Sequence, residues 1–177
     1  GEQRSVMTGH TRPVHAVAFG QAAGHPVAIT GSGDRTVRVW DLDTGEQRSV
    51  MTGHTRPVHA VAFGQAAGHP VAITGSQDRT VRMWDLDTGS ERSVITSHTS
   101  PVTAVAFGQV VGHPVAITGS QDRTVRVWDL DTETEVDRLN LPASVTALAL
   151  APPTQLLVAY GQELMLLEPP QKPWSHL

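Results

Sequence analysis

His10, Ser32 and Asp34 supply the three residue types of a nucleophilic triad: imidazole, hydroxyl and carboxylate. In a working triad the imidazole takes the serine proton, the carboxylate orients the imidazole, and an oxyanion site lies close by. The spacing argues against that chemistry. Asp34 follows Ser32 by two residues in a tight turn, a place where Asp commonly bonds its own local backbone. With Trp40 added, the set also recurs as His54, Ser76, Asp78 and Trp84, and again as His98, Ser120, Asp122 and Trp128. Catalytic groups converge on one reacting atom, whereas a strut needed once per module recurs with the module. The expected role is a hydrogen-bond lock for a buried indole and imidazole, with Ser32 or its same-face neighbour Thr30 supplying the hydroxyl. Either ring left unpaired would cost about 1–3 kcal/mol.

The modules are explicit. Trp40, Trp84 and Trp128 fall one every 44 residues, and residues 1–44 and 45–88 differ only at Gly33/Gln77 and Val39/Met83. The third copy, 89–132, drifts further, with Ser97 for Gly53, Ser100 for Arg56 and Thr103 for His59. A degenerate fourth copy, 133–168, echoes "PVTAVAFG" as "SVTALALA", "PVAITGSQ" as "QLLVAYGQ" and "TVRVWD" as "ELMLLE". It has no histidine near Leu141, no Asp in its shortened hairpin, and Leu167 in place of tryptophan, so a less rigid terminal unit is expected. Residues 169–177 form a proline-rich tail that cannot continue a ladder.

Such self-similarity makes each unit one supersecondary module. Inside a unit the apolar period is two. Val27 and Ile29 alternate with Ala28, Thr30 and Ser32, and Val37 and Val39 alternate with Arg38 and Trp40. Alternating β-branched residues between glycine turns predict strands. "VHAVAFG" gives a further strand, and the polar "EQRSVMT" an outer one. The chain is expected to be all-β.

Glycine-histidine at 9–10 and 53–54, "WD" at 40–41, 84–85 and 128–129, and the shared S-x-D-R-T-V-R before each tryptophan carry a family resemblance. The sequence resembles the WD40 β-propeller family over residues 1–168, and most of all bacterial tandem arrays of near-identical repeats. That resemblance implies four-stranded antiparallel blades set radially, three full repeats plus one degenerate repeat, with the His, Ser, Asp and Trp sets acting as scaffold. It also implies that residues 2–8 are an outer strand able to complete an incomplete last blade. Familiar rings hold about seven or eight blades. Four blades therefore leave three outcomes: a homodimer completing an eight-bladed ring, the back half of a longer array, or an unusually small ring. The homodimer is the expectation for this chain.

Composition narrows the function. The chain carries a net charge of −4 with no basic run interleaved with aromatics, so nucleic acid is not the expected partner. Without cysteine there is no disulfide framework, zinc-thiolate site or cysteine nucleophile. No apolar run approaches the roughly 18 residues of a membrane span, and a cytoplasmic location is expected. Gly1 is not a translation start, so the chain reads as a processed or cut piece.

The reading that follows is a non-catalytic interaction scaffold, with no cofactor and no metal, that presents one rim to a protein or peptide. The resemblance places on that rim Arg12, Pro13, His15 and Gly33; Arg56, Pro57, His59 and Gln77; and Ser100, Pro101, Thr103 and Gln121. Arginine with histidine would favour an acidic or phosphorylated peptide, because guanidinium matches carboxylate and phosphate geometry. Two alternatives stand beside it: a ligand-binding or hydrolytic propeller using the axial channel, and a regulatory tail of a larger bacterial signalling protein. Recurrent His25, His69 and His113 raise an imidazole metal site, but in loops spread around a ring they read as turn residues.

Overall fold

Valine and isoleucine alternating with small residues fill four successive hairpin sets, and each set becomes one antiparallel sheet. The computed structural model describes residues 6–110, 112–151 and 155–167. Strands β1 (Val14–Ala22), β2 (His25–Ser32), β3 (Val37–Asp41) and β4 (Gln47–Met51) form the first sheet in that order. The second contains β5 (Val58–Ala66), β6 (His69–Ser76), β7 (Val81–Asp85) and β8 (Glu91–Ile95). The third contains β9 (Val102–Val110), β10 (His113–Ser120), β11 (Thr124–Asp129) and β12 (Thr134–Asn140). The last, β13 (Val145–Ala151), β14 (Gln155–Tyr160) and β15 (Glu163–Leu167), has three strands among the described residues. No helix occurs among those residues.

Successive sheets meet mainly through their first strands, β1 on β5, β5 on β9 and β9 on β13. The first strands are therefore innermost and the fourth strands outermost. Each seam joins the back face of one sheet to the front face of the next. At the first seam Val27, Ile29, Val37 and Val39 pack against Val58, Val61, Phe63 and Trp84. Complete burial of a side chain such as Val58 contributes roughly 1.5–3 kcal/mol. Gly20 allows the approach, since a Cβ there would lie 2.1 Å from Phe63 Cδ2. The Gly64 and Phe107 pair repeats this seat, at 2.2 Å.

The arc does not close on itself. Val14, Val17 and Phe19 on the front of the first sheet are 50%, 68% and 65% exposed, while Val58 and Val102, the counterparts of Val14, are fully buried and Val61 and Phe63 are packed against the first sheet. At the other end Leu164 and Leu166 are 69% and 54% exposed. The described residues do not form the small closed ring. Of the expected outer strand at 2–8, residues 2–5 lie outside the described part, and 6–8 are irregular rather than strand. The tail 169–177 also lies outside the described residues.

The fourth sheet corrects one alignment. Leu148 pairs with Val158 and Val145 with Tyr160, as Val105 pairs with Thr118 and Val102 with Ser120. Val158 therefore occupies the place of Thr118, one residue from where the "QLLVAYGQ" echo sets it. A one-residue slip exchanges the two faces of a strand, and here it puts Leu156 and Val158, both buried, into the seam.

Candidate functional site

Period-two alternation puts Thr30 and Trp40 on the same face as the turn that carries His10. His10 Nδ1 lies 2.8 Å from Asp34 Oδ2, and its Nε2 lies 2.8 Å from Thr30 Oγ1. Trp40 Nε1–H donates to the same threonine oxygen at 2.8 Å. The second copy links Asp78, His54, Thr74 and Trp84 at 2.8, 2.8 and 2.9 Å. The third links Asp122, His98, Thr118 and Trp128 at 2.8, 2.8 and 3.0 Å. One assignment satisfies every atom: the indole donates to the hydroxyl, the hydroxyl donates to Nε2, and Nδ1–H donates to the carboxylate.

The indole partner is thus Thr30, Thr74 or Thr118, and not Ser32, Ser76 or Ser120. The serines sit one step nearer the turn. Ser32 Oγ donates to the Arg12 carbonyl at 3.0 Å and accepts from Asp34 N–H at 3.1 Å, holding the hairpin closed. Asp34 is engaged at both oxygens, accepting from Thr36 Oγ1 at 2.7 Å and from Thr11 N–H at 3.0 Å.

Burial alone would raise these carboxyls, but the bonds outweigh it. Thr124 and His98 hold Asp122 down to about 2. Asp34 and Asp78 are also pulled well below the ordinary carboxylate range by their threonine and histidine partners. Burial lowers the His98 imidazole against the opposing pull of Asp122, which favours its neutral form.

Thr, His and Asp in this order have the connectivity of a triad, with threonine as the hydroxyl. Thr74 and Thr118 are, however, wholly buried. Each oxygen already receives an indole proton, and no substrate carbonyl can approach it. The bonds tie the turn before the first strand to the second and third strands of the sheet. The fourth sheet replaces the set in concert, with Val158 and Leu167 where threonine and tryptophan stand elsewhere, and with Leu141 four residues before Val145 as His98 is before Val102. Losing both halves of a polar pair together leaves no orphan.

The S-x-D-R hairpins and the starts of the first strands share one rim. Backbone N–H groups of Gly33, Gln77 and Gln121 donate to the carbonyls of Pro13, Pro57 and Pro101 at 2.9, 2.9 and 3.0 Å. A bulge between Val14 and Ala16, repeated between Val58 and Ala60, sets His15 and His59 at this rim. Their ring centroids are 5.0 Å apart across the first seam. Burial, then repulsion from His15, lowers the His59 imidazole. Two rings do not make a cage, and among the described residues no group of three or more His, Cys, Asp or Glu is placed to hold a metal ion. Thr103 is drawn inward instead, its hydroxyl 2.6 Å from the Val145 carbonyl. Ser100 contributes its carbonyl to Ser120 Oγ at 3.0 Å.

An open depression of about 660 Å³ lies between the first two hairpins, with Arg12, Pro13, His15, Gly33, Arg35 and Pro57 in its lining. Its counterpart, about 430 Å³, is lined by Thr55, Arg56, Gln77, Asp78, Arg79 and Pro101. Arg35 and Arg79 were not among the expected rim residues. The signal that would have found them is the unbroken recurrence of Asp-Arg-Thr in the turn. Both adopt φ of 72°, and Arg123 67°, a left-handed conformation that glycine takes at no cost.

The model of the WD domain, G-beta repeat, matches residues 1–41, 45–85 and 89–129. The chain belongs to the WD40 repeat family. Its sheets are WD40 blades, and WD40 repeats generally mediate protein–protein interaction. Among solved structures, a computationally designed protein, Ika4, is similar at 25% identity and a TM-score of 0.77, over 95% of this chain and 98% of that one. U3-55K is similar in fold at 19% identity and a TM-score of 0.77, over 93% of this chain and 54% of its own length. No curated protein matches the sequence. Among the described residues no helix is long and apolar enough to cross a membrane.

Proposed function

We propose that this WD40 chain is a non-catalytic interaction scaffold of the cytoplasm. Its S-x-D-R rim receives an acidic protein segment, and a second copy of the chain is its structural partner. Residues 1–168 act as one half-ring unit. The observation that supports the rim reading is a segregation of charge. Arg12, Arg35, Arg56, Arg79 and Arg123 are exposed on this rim, and none is in an ion pair among the described residues. The aspartates of the same rim, Asp34, Asp78 and Asp122, have both oxygens committed to His and Thr partners. On the opposite rim stand Asp43, Asp87 and Asp131, with Asp41, Asp85 and Asp129 tied into the turns. A net-negative chain therefore turns a positive face to one side, and such a face steers and orients an anionic partner.

The test is fluorescence anisotropy with a labelled oligoglutamate peptide and an oligolysine control. Binding of the acidic peptide that weakens with salt, and drops at least tenfold in an Arg12→Ala, Arg56→Ala double variant, is the expected result. Equal affinity of wild type and double variant, or preference for the basic peptide, would remove the acidic-partner reading.

A further inference from the structure

Among the described residues the arc of sheets carries an unpartnered apolar face at each end. On the first blade these are Val14, Val17 and Phe19, all at least half exposed. The same positions in the next blade, Val58, Val61 and Phe63, are packed against a preceding back face. On the last blade Leu164 and Leu166 are exposed, where Val125 is buried and Val127 is packed into the third seam. One end is thus a front face without a back face, and the other a back face without a front face. Both are of the kind that meet three times inside the chain.

We infer that the front face of the first blade docks on the back face of the last blade of a second copy, reciprocally, giving a closed two-chain ring of eight blades. The occupant is a second copy because the missing interface continues one the chain already builds. Two copies satisfy all four open faces, and a two-fold operation closes a contact between unlike faces. Eight blades is within the range such rings adopt.

The intermolecular seam is wider than the internal ones. Ala159 stands at the position of Gly31, Gly75 and Gly119. A Cβ on Gly119 would lie 2.4 Å from Val145 Cγ1, so Val14 of the incoming copy cannot seat as deeply as Val145 does. Leu164 and Leu166 each exceed the valines they replace by a methylene, which fills the added gap.

Light scattering of the 177-residue chain across a dilution series tests this. The wild type is expected at twice 18.9 kDa. Val17→Asp and Leu166→Arg, both at exposed positions, are each expected to give a folded monomer with unchanged tryptophan fluorescence. Mixing the two monomeric variants is expected to restore a dimer, because the mixed pair has one fully native seam. Ala159→Gly is expected to tighten the wild-type dimer. A wild-type monomer at every concentration, a dimer indifferent to both face variants, or a mass that climbs without limit would each overturn the proposal. So would two variants that stay monomeric on mixing.

Discussion

Trp84 and His54 meet at one oxygen: the Thr74 hydroxyl lies 2.9 Å from the indole nitrogen and 2.8 Å from the imidazole Nε2. Thr74→Val keeps the shape and removes the oxygen, leaving two buried groups unpaired. The expected loss is about 2–4 kcal/mol, read as a lower urea midpoint, with Thr74→Ser recovering most of it. The triple change His54→Leu, Thr74→Val and Trp84→Leu copies the fourth blade. It is expected to cost less than the sum of its three single changes, because neighbouring effects do not add.

Gly64→Ala drives a methyl into Phe107, with a Cβ at 2.2 Å from Cδ2. A destabilisation of about 1–3 kcal/mol is expected from overpacking. Phe107→Leu should relieve part of it, since a Cβ on Gly108 would crowd only one terminal methyl of Leu150, at 2.6 Å. Gly68→Ala meets nothing within 4 Å but sits at φ +79°. Its cost, about 1–2 kcal/mol, should be indifferent to the Phe107 change. Thermal melts of the three single variants and of each glycine variant combined with Phe107→Leu separate crowding from backbone strain.

Arg79 adopts φ of 72° in its hairpin. Arg79→Gly is expected to stabilise the chain by about 1 kcal/mol, seen as a raised melting temperature. The same change should weaken oligoglutamate binding. An arginine that works at the rim moves stability and binding in opposite directions when it is replaced, and the two readouts measure that.

Acid should unfold the chain in two stages. Burial lowers the His98 imidazole, as it does that of His59. The unfolded chain therefore binds more protons below the free value of 6.5, and stability present above 6.5 is lost as pH falls through the lowered folded values. The depressed carboxyls of Asp34, Asp78 and Asp122 add stability that is present above 3.8 and lost as pH falls toward about 2 at Asp122. Melting temperature measured against pH should be flat above 7, decline gently below 6.5 and drop steeply below 4. Asp122→Asn should make the steep limb shallower, with Asp34 and Asp78 carrying the rest.

Much of this was legible in the residues. The 44-residue step of Trp40, Trp84 and Trp128 and the alternation around Val27 and Ile29 specify strands and modules, because both depend only on local pattern. Recurrence likewise marked His10, Asp34 and Trp40 as one unit. The hydroxyl was ambiguous because Thr30 and Ser32 share a face. Only the pairing of β2 with β3, which sets Thr30 across from Arg38 and Ala28 across from Trp40, brings the indole to threonine.

Other features exist only between sheets. Gly20 reads as a strand glycine, yet it is the seat of Phe63 from 43 residues further on. In the fourth blade the echoed letters suggested one register, and the pairing of Leu148 with Val158 established another, because burying Leu156 and Val158 in the seam decides which face turns inward. The open ends follow the same logic. Val17 and Val61 have the same neighbours in sequence, and one is bare while the other is packed because only one has a blade in front of it. Local pattern determined the strands; the contacts between sheets decided which of their identical surfaces are interior.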